Sequence, residues 1–328
     1  MSATAPAASA KAAAAAPAAF VLLWASGPLA VQLGLPHTTV PAFLFLRAAG
    51  AAALAWGIWT LVRDPLPRGA RRWLRLGAVA LLVQVLYQGF FFLALAVGAP
   101  AATVIVIVAL QPVLTAAVTG AGRGPAVWAG SALGVAGAAL TAGAGPGALA
   151  GGDGGAAGVA FASAALLGIT AGTLVQGRAS GVGLWASLAL QSTLSAAVFG
   201  AVALAGGRMR ADWEPGLLFG AGWMAAVVSV GATALLYVMV ARGEAVRVSA
   251  LFFCVPPVTA LLEWAVHGRV PTLAAAAGML CAAAAIALVG RGRGPARGGA
   301  VEGRADPGSE NCSPARETRG NARAARRW

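Results

Sequence analysis

From about residue 18 onward the chain is a run of apolar stretches, each close to the length of a membrane span, joined by short polar connections. A bilayer's hydrocarbon core is about 30 Å thick, so a helix needs roughly 20 apolar residues to cross it. The stretches 18–35, 41–62, 74–97, 101–119, 126–143, 156–175, 183–205, 216–240, 246–266 and 271–290 approach or meet that length. In lipid every backbone N–H and C=O must be bonded internally, and a continuous apolar segment does this as a helix. The expected fold class is therefore an all-α polytopic membrane protein with ten transmembrane helices. Composition removes the alternatives. Only 10% of residues are charged and 59% are hydrophobic, whereas a soluble domain carries about 25% charged residues. The 45 glycines show no three-residue period, which excludes collagen, and disorder requires low hydrophobicity.

The net charge of +13 resembles that of a nucleic-acid binder until the charges are placed. Nine of the 23 basic residues fall between Arg291 and Arg327, in a polar, Gly- and Pro-rich segment with no apolar period. That segment, 291–328, reads as a disordered basic tail. The rest cluster between the apolar stretches. With the N-terminus inside, Lys11, Arg63, Arg68, Arg71, Arg72, Arg75, Arg123, Arg178, Arg242 and Arg247 lie inside, against Arg208, Arg210 and Arg269 outside. The positive-inside rule then puts both termini in the cytoplasm of a multi-pass plasma (inner) membrane protein. The partners implied are the lipid bilayer and a small-molecule substrate, with no nucleic acid; a homodimer stays open. Residues 1–17 read as a flexible N-terminal tail before a retained first helix. Cys254, Cys281 and Cys312 form neither a disulfide framework nor a metal site, and no cofactor or metal is expected.

An internal repeat organises the rest. FFLALAVGAPAATVIVIVALQPVLTAAV from Phe91 aligns, with a one-residue slip, to LLYVMVARGEAVRVSALFFCVPPVTALL from Leu235. Gly98 then matches Gly243, and Pro112 matches Pro257, both 145 residues apart. The chain divides into a first five-helix repeat, 18–145, and a second, 154–290. An odd helix number inverts the second repeat relative to the first, an architecture that recurs in secondary transporters. Gly130/Gly134, Gly168/Gly172 and Gly216/Gly220 have the G-x-x-x-G spacing that lets helices approach closely.

Several segments carry a family resemblance: FVLLWASGPLAV, PAFLFLRAAGAA, LAVGAPAATVIVIVALQPVLTA and LLYVMVARGEAVRVSALFFCVPPVTALLEWAVHGRVPT. In their order the chain resembles the EamA-type transporters of the drug/metabolite transporter superfamily over about residues 18–290. The resemblance implies two five-helix repeats and the efflux of amino acids, metabolites or drugs. The loops after the fourth helix of each repeat read Gly122-Arg123 and Gly268-Arg269, where the family often carries Gly-Glu. The acidic residue's role is therefore not carried over.

Ionisable groups within spans are costly and usually face protein or a cavity. Arg47, two turns into the second helix, and Glu263, near the end of the ninth, fall at similar depth toward the outer side, where a pair between them is geometrically possible; the alternatives are a helix-holding ion pair or cap for Arg47 and snorkelling to the interface for Glu263. Trp24, Tyr87, Gln88, Gln111, Gln191 and Tyr237 are the other substrate-binding or gating candidates, with Gln84 one turn before Gln88 and Trp223 as a second candidate for a cavity wall. Pro28, Pro112, Pro256 and Pro257 are expected to break their helices. No H-E-x-x-H, G-x-S-x-G or G-K-[ST] string occurs. The expected function is a non-enzymatic secondary transporter, an exporter of small, neutral or zwitterionic organic solutes working by alternating access. An intramembrane enzyme acting on a lipid, or a non-transporting membrane subunit, is the alternative.

Overall fold

The computed structural model describes residues 5–99, 101–120, 124–141, 155–177, 181–242, 248, 251–268 and 270–291. The expected basic tail lies outside them, apart from Arg291 at the end of the last helix. The described residues are helical, with one isolated bridge, between Thr38 and Ala211. Helix α1 runs Ala5–Ala25 and resumes as Gly27–Gly34. It thus starts inside the segment expected to be a tail, because an Ala-rich run has the best intrinsic helix propensity and simply continues the span upstream.

The other helices are α2 (Val40–Val62), α3 (Ala70–Ala96), α4 (Ala101–Val108 and Gln111–Thr119), α5 (Pro125–Thr141), α6 (Gly155–Gly177) and α7 (Leu184–Ala205). They are followed by α8 (Pro215–Ala241), α9 (a tight turn at Phe252–Cys254, then Val255–His267) and α10 (Leu273–Arg291). Six are long and apolar enough to cross a membrane: α1, α2, α3, α6, α7 and α8. Large apolar side chains such as Leu61, Leu74, Val118, Leu204, Val266 and Leu273 are exposed, an outer surface suited to lipid rather than to water.

Irregularities occur where they affect the interior. Ala80–Tyr87 of α3 and Met224–Ala232 of α8 are wound as π-helix. This widened winding displaces carbonyls from the usual ladder and commonly marks functional positions. The prolines expected to break helices stand in the first turns of helical pieces: Pro28 in the second piece of α1, Pro112 in the second piece of α4, and Pro256 in the helical part of α9. Pro257 follows at the next position. A proline in the first turn loses no intrahelical bond, since those N–H groups have no partner there. At the α1 break the Ser26 hydroxyl donates to the Leu23 carbonyl at 2.7 Å, and Thr259 of α9 donates to the Ala25 carbonyl at 2.9 Å.

The helices pair extensively, α2 along α7 and α5 along α10. Helix α3 packs on α6 and α7, and α8 on α1 and α2; α4 lies against α6 and α9 against α1; α4 meets α5, and α9 meets α10. With no hydrophobic drive between helices in lipid, close backbone approach holds such pairs together. A Cβ on Gly137 would sit 2.7 Å from the Gly278 carbonyl oxygen, and one on Gly220 would sit 2.8 Å from the Gly34 Cα.

Candidate functional site

Arg47 lies on α2 where that helix passes between α3, α7 and α8. It is only 7% exposed. Its Nε–H donates to Ser229 Oγ at 2.7 Å, and Nη1 donates to Gln88 Oε1. Gln88 Nε2 in turn donates to Gln84 Oε1 at 3.0 Å. Both π-helical stretches serve this cluster. Ser229 belongs to the α8 stretch and donates to the Met224 carbonyl five residues back at 2.8 Å. Gln84 belongs to the α3 stretch, and its backbone carbonyl accepts from Ser195 Oγ of α7 at 3.3 Å. Together with Ser192, these side chains enclose a pocket of about 10 Å³, room for roughly one water.

Among the described residues no carboxylate lines this pocket. The pair that similar depth allowed between Arg47 and Glu263 is not formed: Glu263 Oε1 accepts from Gln32 Nε2 at 2.8 Å in an exposed position. Residues 32 and 263 sit near the ends of their helices, where the carboxylate keeps its solvation, whereas Arg47 is drawn inward by neutral amides and hydroxyls. Among the described residues the one ion pair is the exposed Arg210–Asp212 contact, at 2.9 Å. A guanidinium carries five N–H donors. Two of those on Arg47 are engaged, so three point toward no partner among the described residues. An unneutralised buried charge costs several kcal/mol even after relaxation.

A polar track continues from here along α7. Ser187, Gln191 and Ser195 share one face at four-residue spacing, spanning about 12 Å at 1.5 Å per residue. Gln191 is fully buried; its Nε2 donates to Ser187 Oγ at 2.7 Å, and its Oε1 accepts from the Tyr237 hydroxyl at 2.5 Å. Beyond this chain opens a second cavity of about 130 Å³, lined by Arg72, Arg75, Gln176, Gly183, Ser187 and Tyr237 among others.

Each end of the α2/α7 pair is fastened by a loop. At one end the Asp64 carboxylate accepts from the Trp185 N–H at 2.8 Å and the Ala186 N–H at 3.0 Å, and the Gly183 N–H donates to the Pro65 carbonyl at 2.7 Å. Asp64 thus satisfies two of the orphan donors at the start of α7. At the other end Thr38 Oγ1 donates to the Arg210 carbonyl at 2.6 Å, Thr39 Oγ1 donates to the Arg208 carbonyl, and the Asp212 N–H donates to the His37 carbonyl at 2.9 Å.

The other sequence candidates are scattered. Trp24 packs in an aromatic trio with Phe20 and Phe252, at ring-centroid distances of 5.4 and 5.2 Å. Trp223 donates to Ser26 Oγ at 2.9 Å. Tyr87 stacks edge-on with Phe91 at 6.2 Å. Trp24, Tyr87 and Glu263 line neither cavity. Gln111 is fully buried with both amide atoms unpartnered, as are Thr115 Oγ1 one turn on and Ser131 Oγ of α5. Ser192, Ser195, Ser229, Asp64 and the Arg72/Arg75 cavity were not singled out from the sequence. Signals for some of them were present: a serine stripe at helical spacing on an otherwise apolar α7 for Ser192 and Ser195, and Asp64 as the one acid in a strongly basic loop.

No protein-family model matches the chain, and no curated protein matches it. A solved structure described only as a crystal structure of a protein is similar in fold, with a TM-score of 0.68 at 20% identity, covering 85% of this chain and 97% of the other.

Proposed function

We propose that the protein is a secondary transporter of the EamA type, an exporter moving small organic solutes such as amino acids, metabolites or drugs across the plasma membrane by alternating access between two inverted five-helix repeats. The observation that carries this reading is the Arg47 pocket. It is a small pocket with one arginine and five neutral polar side chains on an otherwise apolar wall, and a buried polar track leads from it along α7 toward a larger cavity. Buried ionisable groups of this kind mark solute or ion pathways.

The repeat reading is supported by correspondences about 145 residues apart. The π-helical stretches Ala80–Tyr87 and Met224–Ala232 correspond. So do the contacts of Gly172 with Val83 and of Gly27 with Val228. The helix pairs interchange as well when each helix is replaced by the one five places along: α3·α6 with α8·α1, α3·α7 with α8·α2, and α4·α6 with α9·α1. The two fastenings correspond in the same way, Asp64 at the start of α7 and the 208–212 loop at the start of α2. In an inverted arrangement they lie at opposite membrane faces and act as the two gates. The shorter α4, α5, α9 and α10 complete ten spans, with both termini in the cytoplasm. Among the described residues no carboxylate or imidazole lines the Arg47 pocket, which favours transport over lipid chemistry.

The test is reconstitution of the purified protein in liposomes loaded with a metabolite extract. Solutes lost faster than from protein-free vesicles are identified by mass spectrometry and then taken into counterflow. The absence of any protein-dependent loss removes the transport reading and leaves the non-transporting subunit.

A further inference from the structure

We infer that the Arg47 pocket binds the carboxylate of a small monoanionic solute, with the guanidinium as its counter-charge. This rests on the transport reading and narrows its substrate class to organic anions. Three of the five guanidinium N–H groups have no hydrogen-bond partner among the described residues, and Arg47 as a residue is only 7% exposed. A charge so placed is stable when an opposite charge meets it. Among the described residues no acidic side chain lines the pocket to do so, and Glu263 is bonded to Gln32 elsewhere. The counter-charge is therefore supplied by what the pocket takes in.

The rest of the wall fits a carboxylate. Guanidinium presents a planar fork that matches two carboxylate oxygens, and the Ser192 hydroxyl stands on the same wall, whereas the Ser195 hydroxyl donates to the Gln84 carbonyl. The Nε–H bond to Ser229 and the Nη1 bond to Gln88 hold the fork in place from the α8 and α3 sides. One fixed positive charge balances a monoanion, whereas a phosphate dianion would carry excess charge into an apolar bundle. With no acid on the wall, the ammonium group of a zwitterion would have no partner. These features favour an organic anion over the neutral or zwitterionic solute that composition alone suggested. The second cavity, with Arg72 and Arg75 on its wall, presents positive charge on the route in.

The pocket holds roughly one water's volume, less than a carboxylate occupies, so binding requires its wall to widen, and the smallest carboxylate is the appropriate probe. The thermal unfolding temperature of the full-length protein in detergent would be followed against sodium formate, formamide and sodium phosphate, each at ionic strength matched with sodium chloride. Formate is expected to raise the temperature saturably, and formamide, its neutral counterpart, is expected not to. Half-saturation should weaken at least about tenfold in Arg47→Gln, and by less in Arg47→Lys, which keeps the charge and loses the fork. Equal responses to formate and formamide, no response to formate, or an Arg47→Gln protein that responds like the wild type would each overturn the inference. Stronger stabilisation by phosphate than by formate would overturn the monocarboxylate assignment. If Arg47→Gln does not fold, the formate–formamide comparison on the wild type decides. Formate binding by a protein that carries no flux would remove transport and keep the anion site. Flux of an uncharged solute, unaffected by formate, would keep transport and remove the anion site.

Discussion

Removing the Asp64 carboxylate should loosen the end of the bundle that roofs the larger cavity. Asp64 accepts from two backbone N–H groups at the start of α7, at 2.8 and 3.0 Å, and Gly183 and Leu184 beneath it line that cavity. Losing a helix cap costs about 1 kcal/mol, within a range of roughly 0.5–2. Losing a negative charge at a helix N-terminus costs up to about 1 kcal/mol more at a partly exposed site. Asp64→Ala should therefore weaken this fastening by about 2 kcal/mol, which raises the open population about 30-fold at 1.4 kcal/mol per factor of ten. Asp64→Asn keeps an acceptor and loses the charge, so about 1 kcal/mol and about fivefold are expected. Ser187 reports the opening, because it lines the cavity and is 5% exposed when closed. A Ser187→Cys reporter, with Cys254, Cys281 and Cys312 replaced by alanine, would be labelled with an impermeant maleimide in inside-out and right-side-out vesicles. The rate should rise by these factors from the face carrying Asp64, which is cytoplasmic in the proposed orientation. Unchanged labelling in both Asp64 variants, with normal assembly, would show that the carboxylate does not hold this end shut.

Other expectations concern separate parts of the molecule. Tyr237→Phe removes the hydroxyl that donates to Gln191 Oε1 and leaves a buried acceptor unpaired; a loss of about 1–3 kcal/mol should appear as a lower unfolding temperature. Gln111→Leu should raise that temperature, because both amide atoms are buried without partners and an apolar isostere releases their desolvation penalty; a decrease would show that the amide is satisfied by water or solute. Gly137→Leu drives a side chain into the Gly278 backbone of α10, so overpacking of about 1–3 kcal/mol or more should lower the monodisperse fraction in size-exclusion chromatography. Charge changes at Arg47 and Glu263 should act independently in counterflow, since the two side chains have different partners; rescue of one by the other would refute this geometry.

The helical, apolar character of the chain and the clustering of arginines at connections were legible because hydrophobic patterning is a local property, whereas six of the ten expected spans have, among the described residues, the length to cross a membrane. The candidate residues Arg47, Gln88, Gln191 and Tyr237 were also visible, since a polar group inside a span stands out against its neighbours. Their partners were not. Sequence spacing put Arg47 and Glu263 at similar depth, but depth leaves rotation about each helix axis open. Packing turned Arg47 toward Ser229 and Gln88 and left Glu263 beside Gln32. The π-helical winding of α3 and α8 and the reach of Asp64 across to α7 were hidden for the same reason. The sequence by itself determined that the chain is an apolar helical protein with a few costly interior polar groups. Only the tertiary structure decided which of those groups meet, because contacts between residues 41 to 182 positions apart depend on how whole helices are packed, not on the order of residues along any one of them.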